Sequence, residues 1–265
     1  MGSRKTAVSP DYARDHSLLA AAGDPTLAFI QSRVLELEQR GLATRTFRRL
    51  DSERQFAVIG AILREAAENG VASVGVKQVA SRAGVSVGSL YQYFGDRDRM
   101  VAFAVAVSTS FLADSLEYYR PMLSAMPLRE ALTAYLAGGV EWSEAFSDLV
   151  RLFARAAYQG EAELDTTMVE PIARVMLGVV REILRAAAAR GEVRENVNVE
   201  AGARMIHLLT IAIGDSYLLP HLNSYYQLHD PEVPFQRRVD ELVDFVVAAV
   251  GGEAAADASR ETGRA

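Results

Sequence analysis

The stretch Ser73–Arg97, SVGVKQVASRAGVSVGSLYQYFGDR, is rich in hydrogen-bonding side chains but sets no nucleophile beside a base. Gln92 carries an amide that donates and accepts at once, which suits a bidentate bond to an adenine edge. Ser89 has a hydroxyl that serves either kind of partner, and Val87 offers a small apolar surface for a thymine methyl. This chemistry is recognition rather than bond-making, and it needs a scaffold that holds one helix edge outward. The neighbouring residues supply one. Val76, Val79, Ala80 and Ala83 recur at helical spacing, so the first half of the stretch predicts a short helix with an apolar side. Gly84 permits a left-handed turn, and Ser86 stands where its side chain caps a following helix. In that second helix Leu90 and Phe94 point inward, leaving Val87, Gly88, Ser89 and Gln92 on other faces, with Tyr91 and Tyr93 alongside. Two short helices joined by a tight glycine turn, over 75–94, form a helix-turn-helix, whose second helix enters the major groove of DNA.

The run Ala83-Gly84-Val85-Ser86-Val87-Gly88-Ser89-Leu90-Tyr91-Gln92-Tyr93-Phe94 closely resembles the signature of TetR-type bacterial transcriptional regulators. The resemblance extends upstream through Leu63–Gly70 and downstream through Asp96–Met100, and covers roughly 52–111. It implies an all-α chain with a three-helix DNA-binding domain at 52–111 and a helical ligand-binding and dimerisation body at 112–250. It also places Lys77, Tyr91, Tyr93 and Arg97 at positions that meet the phosphate backbone, the tyrosines alternatively packing the small domain. The chain departs from the family pattern at two places. Val74 and Gly75 stand where a capping Ser or Thr is usual, and Val87 stands where many relatives have Lys.

The net charge of −6 argues at first against a nucleic-acid partner, but the charge is unevenly spread. Residues 1–100 hold 14 Lys and Arg against 11 Asp and Glu, which leaves 14 against 23 in the remainder. A mildly basic head on an acidic body fits a module that touches phosphates and a body that does not. The basic residues concentrate at Arg40, Arg45, Arg48, Arg49 and Arg54, opposed only by Asp51 and Glu53. For Arg45, Arg48 and Arg49 two readings stand: a solvated loop, or an arm reaching phosphates or the minor groove beside the main site.

With no cysteine in 265 residues, disulfides, thiolate catalysis and zinc fingers are excluded. We find no apolar run of transmembrane length and no leader pattern, so the reading is a cytoplasmic protein without a membrane partner. Residues 1–23 show no periodicity and are expected to be disordered, as is the tail 251–265. Asp24-Pro25 reads as a cap and first turn, and Leu27, Ile30, Val34 and Leu37 then form a stripe that Gly41 ends. The segment 24–51 is thus an extra amphipathic helix followed by the Arg-rich arm. Ser52-Glu53-Arg54-Gln55 has capping-box spacing and starts a helix whose inner face is Phe56, Ile59, Leu63, Ala66 and Ala67. Asp96 caps a longer helix running to about Tyr119, where Pro121 stops it. Further helices are expected near 128–145, 147–158, 166–190, 198–219 and 235–250, with breaks or bends at Gly138-Gly139, Gly160, Gly191 and Pro220.

In the family the body buries a small molecule, and the last two long helices of each subunit pair into a four-helix bundle. The resemblance therefore implies a homodimer through 198–219 and 235–250, with Ala201, Gly202, Ala212 and Gly214 permitting close approach. Candidate ligand-lining residues are Trp142, Phe146, Phe153, Tyr158, Met168, Met176, Met205, His207, Asp215 and Tyr217, each alternatively an ordinary core residue. No nucleophile elbow, phosphate-cradling glycine loop or His-x-x-x-His pair is present, so no enzyme, cofactor or metal is expected. The function that emerges is a homodimeric repressor that binds double-stranded operator DNA and is released by an apolar or amphipathic effector. The alternative is a helical adaptor that has lost or reduced DNA binding.

Overall fold

A computed structural model describes residues 25–252 except 229 and 231, with side chains described from residue 32 onward. The disorder expected for 1–23 and for most of the tail, and the side chains of Leu27 and Ile30, lie outside the described residues. Among the described residues every regular element is helical, and the one β contact is an isolated bridge between Val193 and Gly251. The chain groups into two compact units that interleave in sequence: Pro25–Glu117 with Phe146–Val175, and Tyr118–Ala145 with 176–252.

The first unit begins with α1 (Pro25–Gln39), whose Val34 and Leu37 are buried as the stripe requires. Arg33 on α1 clasps Asp114 with two hydrogen bonds of 2.7 Å, through Nε and Nη2. That fork and its bond to Glu36 hold the guanidinium in its charged form well above its ordinary pKa. The Arg-rich segment is neither a loop nor a free arm. It forms a one-turn helix, α2 (Arg45–Arg48), with Phe47 fully buried.

α3 (Ser52–Asn69) follows, capped by Asp51 rather than Ser52: the Asp51 carboxylate accepts from Arg54 N–H at 2.9 Å. Its inner face is also turned from the expected one. Ile59, Leu63 and Ala66 are buried, but Phe56 is exposed while Gln55, Val58, Ile62 and Glu65 face inward. The cause is α2, because the Gln55 amide donates to the Phe47 and Arg48 carbonyls at 3.2 and 3.1 Å. Those carbonyls lie at the end of a helix, where intrahelical donors run out, and the buried amide supplies a donor there. At the other end of α3, Gly70 sits at φ 84°, and a Cβ there would lie 3.1 Å from the Arg155 guanidinium.

α4 (Val76–Ala83) and α5 (Val87–Phe94) complete the small domain, and α6 (Arg97–Ala125) leads out of it. Pro121 does not stop α6, which continues to Ala125 with Leu123 buried; packing of that last turn outweighs the lost N–H. α6 is also long and apolar enough to cross a membrane, contrary to the sequence reading. Of its most apolar stretch 56% is buried inside the protein, as in a core helix. α8 (Ser147–Gln159) belongs to this unit too, where Arg64 of α3 bonds Asp148 at 3.0 Å.

In the second unit α7 (Leu128–Ala145) runs unbroken through Gly138-Gly139. Its N-terminus is capped by the Glu192 carboxylate, which accepts from Leu128 N–H at 2.6 Å. A π-helical turn, Asp165–Val169, precedes α9 (Glu170–Ala189), and α10 (Val199–Leu218), the short α11 (Pro220–Tyr226) and α12 (Phe235–Val250) finish the described chain. Leu128, Leu132, Leu136, Val179, Ile183, Leu184, Ile206, Val239, Val243 and Val246 are among the buried residues of this unit.

Candidate nucleic-acid interface

The turn between α4 and α5 follows from its residues. Gly84 ends α4 in the left-handed region at φ 66°, where a side chain would cost energy. Ser86 then caps α5, its Oγ accepting from Ser89 N–H at 3.0 Å and lying 2.8 Å from Ser89 Oγ. Beneath the turn Val79, Ala80, Leu90 and Phe94 are buried, which fixes the direction of both helices. Arg82 of α4 bonds Glu68 of α3 at 2.5 Å and lies 3.4 Å from buried Glu65. The Arg82 hydrogen bond holds the Glu68 carboxyl below its ordinary pKa. Gly75 starts α4 without a side-chain cap bond, and a Cβ there would fall 2.2 Å from Gln78 Oε1, so the Gln78 side chain lies over the helix start.

What remains outward on α5 is an uncharged face. Gly88, Tyr91 and Gln92 are exposed, Tyr91 at 49%, and Val87 and Ser89 are half-buried. Lys77 and Ser86 are exposed nearby on α4 and at the turn. Two members of the expected set are engaged within the domain, Tyr93 buried and Arg97 half-buried. Tyr93 is 9% exposed, its ring 5.8 Å from Phe47 and 6.2 Å from Phe94. Arg97 folds back to donate to the carbonyls of Val71 and, at 3.2 Å, Val74, and pairs with Asp98 at 2.7 Å. Both residues shape the domain that presents α5.

The residue that sequence reasoning missed is Thr44. Its N–H donates to Tyr93 O and its Oγ1 to Gln92 O, each at 2.8 Å. α5 therefore ends with its last carbonyls satisfied by the segment before α2. A lone Phe inside an arginine run was the available signal, since a solvated run has no use for an aromatic ring.

The candidate ligand residues divide between the units. Phe146, Phe153 and Tyr158 lie in the first, where the Phe146 ring stands 5.1 Å from Phe111. Met168 is fully buried there. Trp142, Met176, Met205, His207, Asp215 and Tyr217 lie in the second. Trp142 is buried, whereas Tyr158 at 46% and Met205 at 63% exposure are surface side chains. Tyr217 donates its hydroxyl to Glu144 at 3.0 Å, has its ring centre 4.7 Å from that of Phe235 at a tilt of 43°, and has the Arg238 guanidinium 5.9 Å from its ring centre. Burial, aided by the Glu144 bond, raises the Tyr217 pKa, and burial lowers that of His207. Glu144, Phe235 and Arg238 were not anticipated. No group of metal-ligating side chains occurs among the described residues.

Comparison with known proteins agrees with this architecture. Residues 58–102 match the model described as bacterial regulatory proteins, tetR family. A search of curated proteins gives no match. Among solved structures, a TetR family transcriptional regulator from Chloroflexus aurantiacus is 17% identical, covering 80% of this chain and 99% of that one, with a TM-score of 0.54. The fatty acid degradation regulator FadR from Bacillus halodurans is 16% identical, covering 72% and 96%, at 0.55. SmeT of Stenotrophomonas maltophilia, in complex with triclosan, is 17% identical, covering 77% and 94%, at 0.60. Such regulators act by binding DNA and not by catalysis. In its helix-turn-helix, matched over residues 58–102, and in its all-helical fold, this chain is similar to the TetR-type bacterial transcriptional regulators.

Proposed function

We propose that the chain is a homodimeric repressor working in the cytoplasm, which holds operator DNA through α5 and releases it when a small molecule binds the body. The observation that carries the DNA reading is the outward face of α5. Gln92, Ser89, Val87 and Tyr91 stand on a helix whose inward residues, turn and both ends are fixed by the domain. Rigid presentation of a few hydrogen-bonding groups suits base-edge contacts, with Lys77 on the phosphates. Homodimerisation is supported by Met205 and Leu208 on α10 and Phe245 on α12, each more than 60% exposed, on helices that also carry the buried Ala203, Ile206, Val239, Val243 and Val246. Small residues on α10 serve the chain's own packing in part, since a Cβ on Gly202 would meet Leu184 at 3.0 Å.

For the effector we propose an apolar or amphipathic molecule. Its polar end would be recognised by groups such as His207 and the Tyr217–Glu144 pair, and its apolar part by aromatic neighbours such as Trp142. The triclosan complex of a protein with this fold, SmeT, is consistent with that chemistry. Gel-shift binding to DNA upstream of the protein's own coding sequence tests the reading, followed by titration of apolar acids and phenols against the complex. Binding at low salt with release by a ligand is expected. No binding at low salt would instead favour a helical adaptor.

A further inference from the structure

We infer that α2 is a second, rigidly mounted phosphate-contacting element of the DNA face, acting through Arg45 and Arg49; this rests on the DNA-binding role of α5. Four anchors hold the turn. Thr44 bonds the Gln92 and Tyr93 carbonyls at the end of α5, both at 2.8 Å. Phe47, fully buried, sits 5.0 Å from both Phe94 and Phe103 and 5.8 Å from Tyr93. Gln55, 4% exposed, caps the far end through the Phe47 and Arg48 carbonyls. Arg48 pairs with Glu38.

This anchoring decides which arginines are left for a partner. Arg45 and Arg49 are four residues apart, so they share one face of the turn, opposite the buried Phe47. Both are exposed, and neither has an ion-pair partner among the described residues. Of the nearby carboxylates, Glu38 is engaged by Arg48, Glu36 by Arg33 and Arg40, and Asp51 by the start of α3 and Arg54, while exposed Glu53 pairs with neither arginine among the described residues. Two guanidinium groups without an ion pair, on a turn that begins beside a residue bonded to the reading helix, are complementary to a DNA backbone continuing past that helix. The uncharged outward face of α5 gives such an element a purpose: α5 reads bases, and α2 supplies the charge that α5 lacks. Because it is docked, α2 contacts phosphate at a fixed place and does not sweep into a groove as a flexible arm would.

The test uses the full chain and a labelled random-sequence duplex, with binding followed by fluorescence anisotropy over a range of salt. Each phosphate contact contributes about 0.9 to the slope of log affinity against log salt, so R45A/R49A is expected to lower that slope by about 1.8 for each subunit on the duplex and weaken binding at every salt concentration. R45K/R49K keeps the charge and is expected to keep most of the slope, and all variants should keep the wild-type melting midpoint. An alanine variant with the wild-type slope overturns the proposal, as does a lysine variant that loses as much as alanine. Failure of the wild-type chain to bind the duplex at low salt would overturn the reading of α5 and this inference with it.

Discussion

Gln92 is the side chain on α5 best equipped to tell one base pair from another, and its own backbone carbonyl is already held by Thr44. Gln92→Ala removes the amide and leaves the helix in place. We expect it to reduce discrimination at one base pair of the operator by about 1–3 kcal/mol, while binding to random duplex and its salt slope stay unchanged. Competition between operator and single-substitution duplexes measures this, and equal losses on all sequences would assign Gln92 to the backbone. In the body, His207 makes a different prediction. Burial lowers its pKa below the ordinary 6.5, so the unfolded chain takes up a proton where the folded chain does not. Stability from keeping this ring neutral is intact above about pH 6.5 and is lost as pH falls below that value towards the folded pKa. Urea unfolding from about pH 7.5 down to about 5.5 should therefore show wild type losing stability relative to His207→Gln. Parallel curves would mean the ring is more solvated than its half-buried place indicates.

At the scale of elements, the helix-turn-helix was legible because each of its signals is local. Gly84 at the turn, Ser86 at the cap, and Leu90 with Phe94 one turn apart each act within a few residues, and all three occur as read. The α2 turn was not legible, because what folds it is distant in sequence. Phe47 packs on Phe103, and Thr44 bonds residues 48 positions away or more. Gln55 turns inward and Phe56 outward because the Gln55 amide caps α2, a turn 7 and 8 residues back that the sequence did not reveal. Phe47→Ala probes this cluster directly. Removing a fully buried ring from among three others should cost about 3–5 kcal/mol by urea unfolding. A cost below about 1 kcal/mol would mean α2 is only loosely docked, as expected of an exposed surface position. The candidate ligand residues were legible only as types. Trp142 and Met205 look alike in sequence, yet one is buried and the other 63% exposed.

For the molecule as a whole, the apolar residues left outside carry the strongest consequence. Met205 and Leu208 stand three apart on α10, at 63% and 61% exposure, and Phe245 of α12 is 64% exposed. Side chains of this size at that spacing share a helix face, and burying them against a second copy removes from water what the single chain leaves wet. Two-fold pairing would also explain how a reading helix without lysine or arginine reaches a useful affinity, because two linked half-sites bind far better than one. M205E/L208E places like charges across such an interface, where their repulsion and desolvation cost several kcal/mol. In the single chain the same changes fall on the surface and should alter stability by no more than about 0.5 kcal/mol. Sedimentation should therefore find the variant monomeric but folded, and its affinity for a two-half-site operator should drop to that for a single half-site. A variant that remains dimeric would place the interface elsewhere. A variant that unfolds as it dissociates would show that the fold of the body depends on the partner subunit.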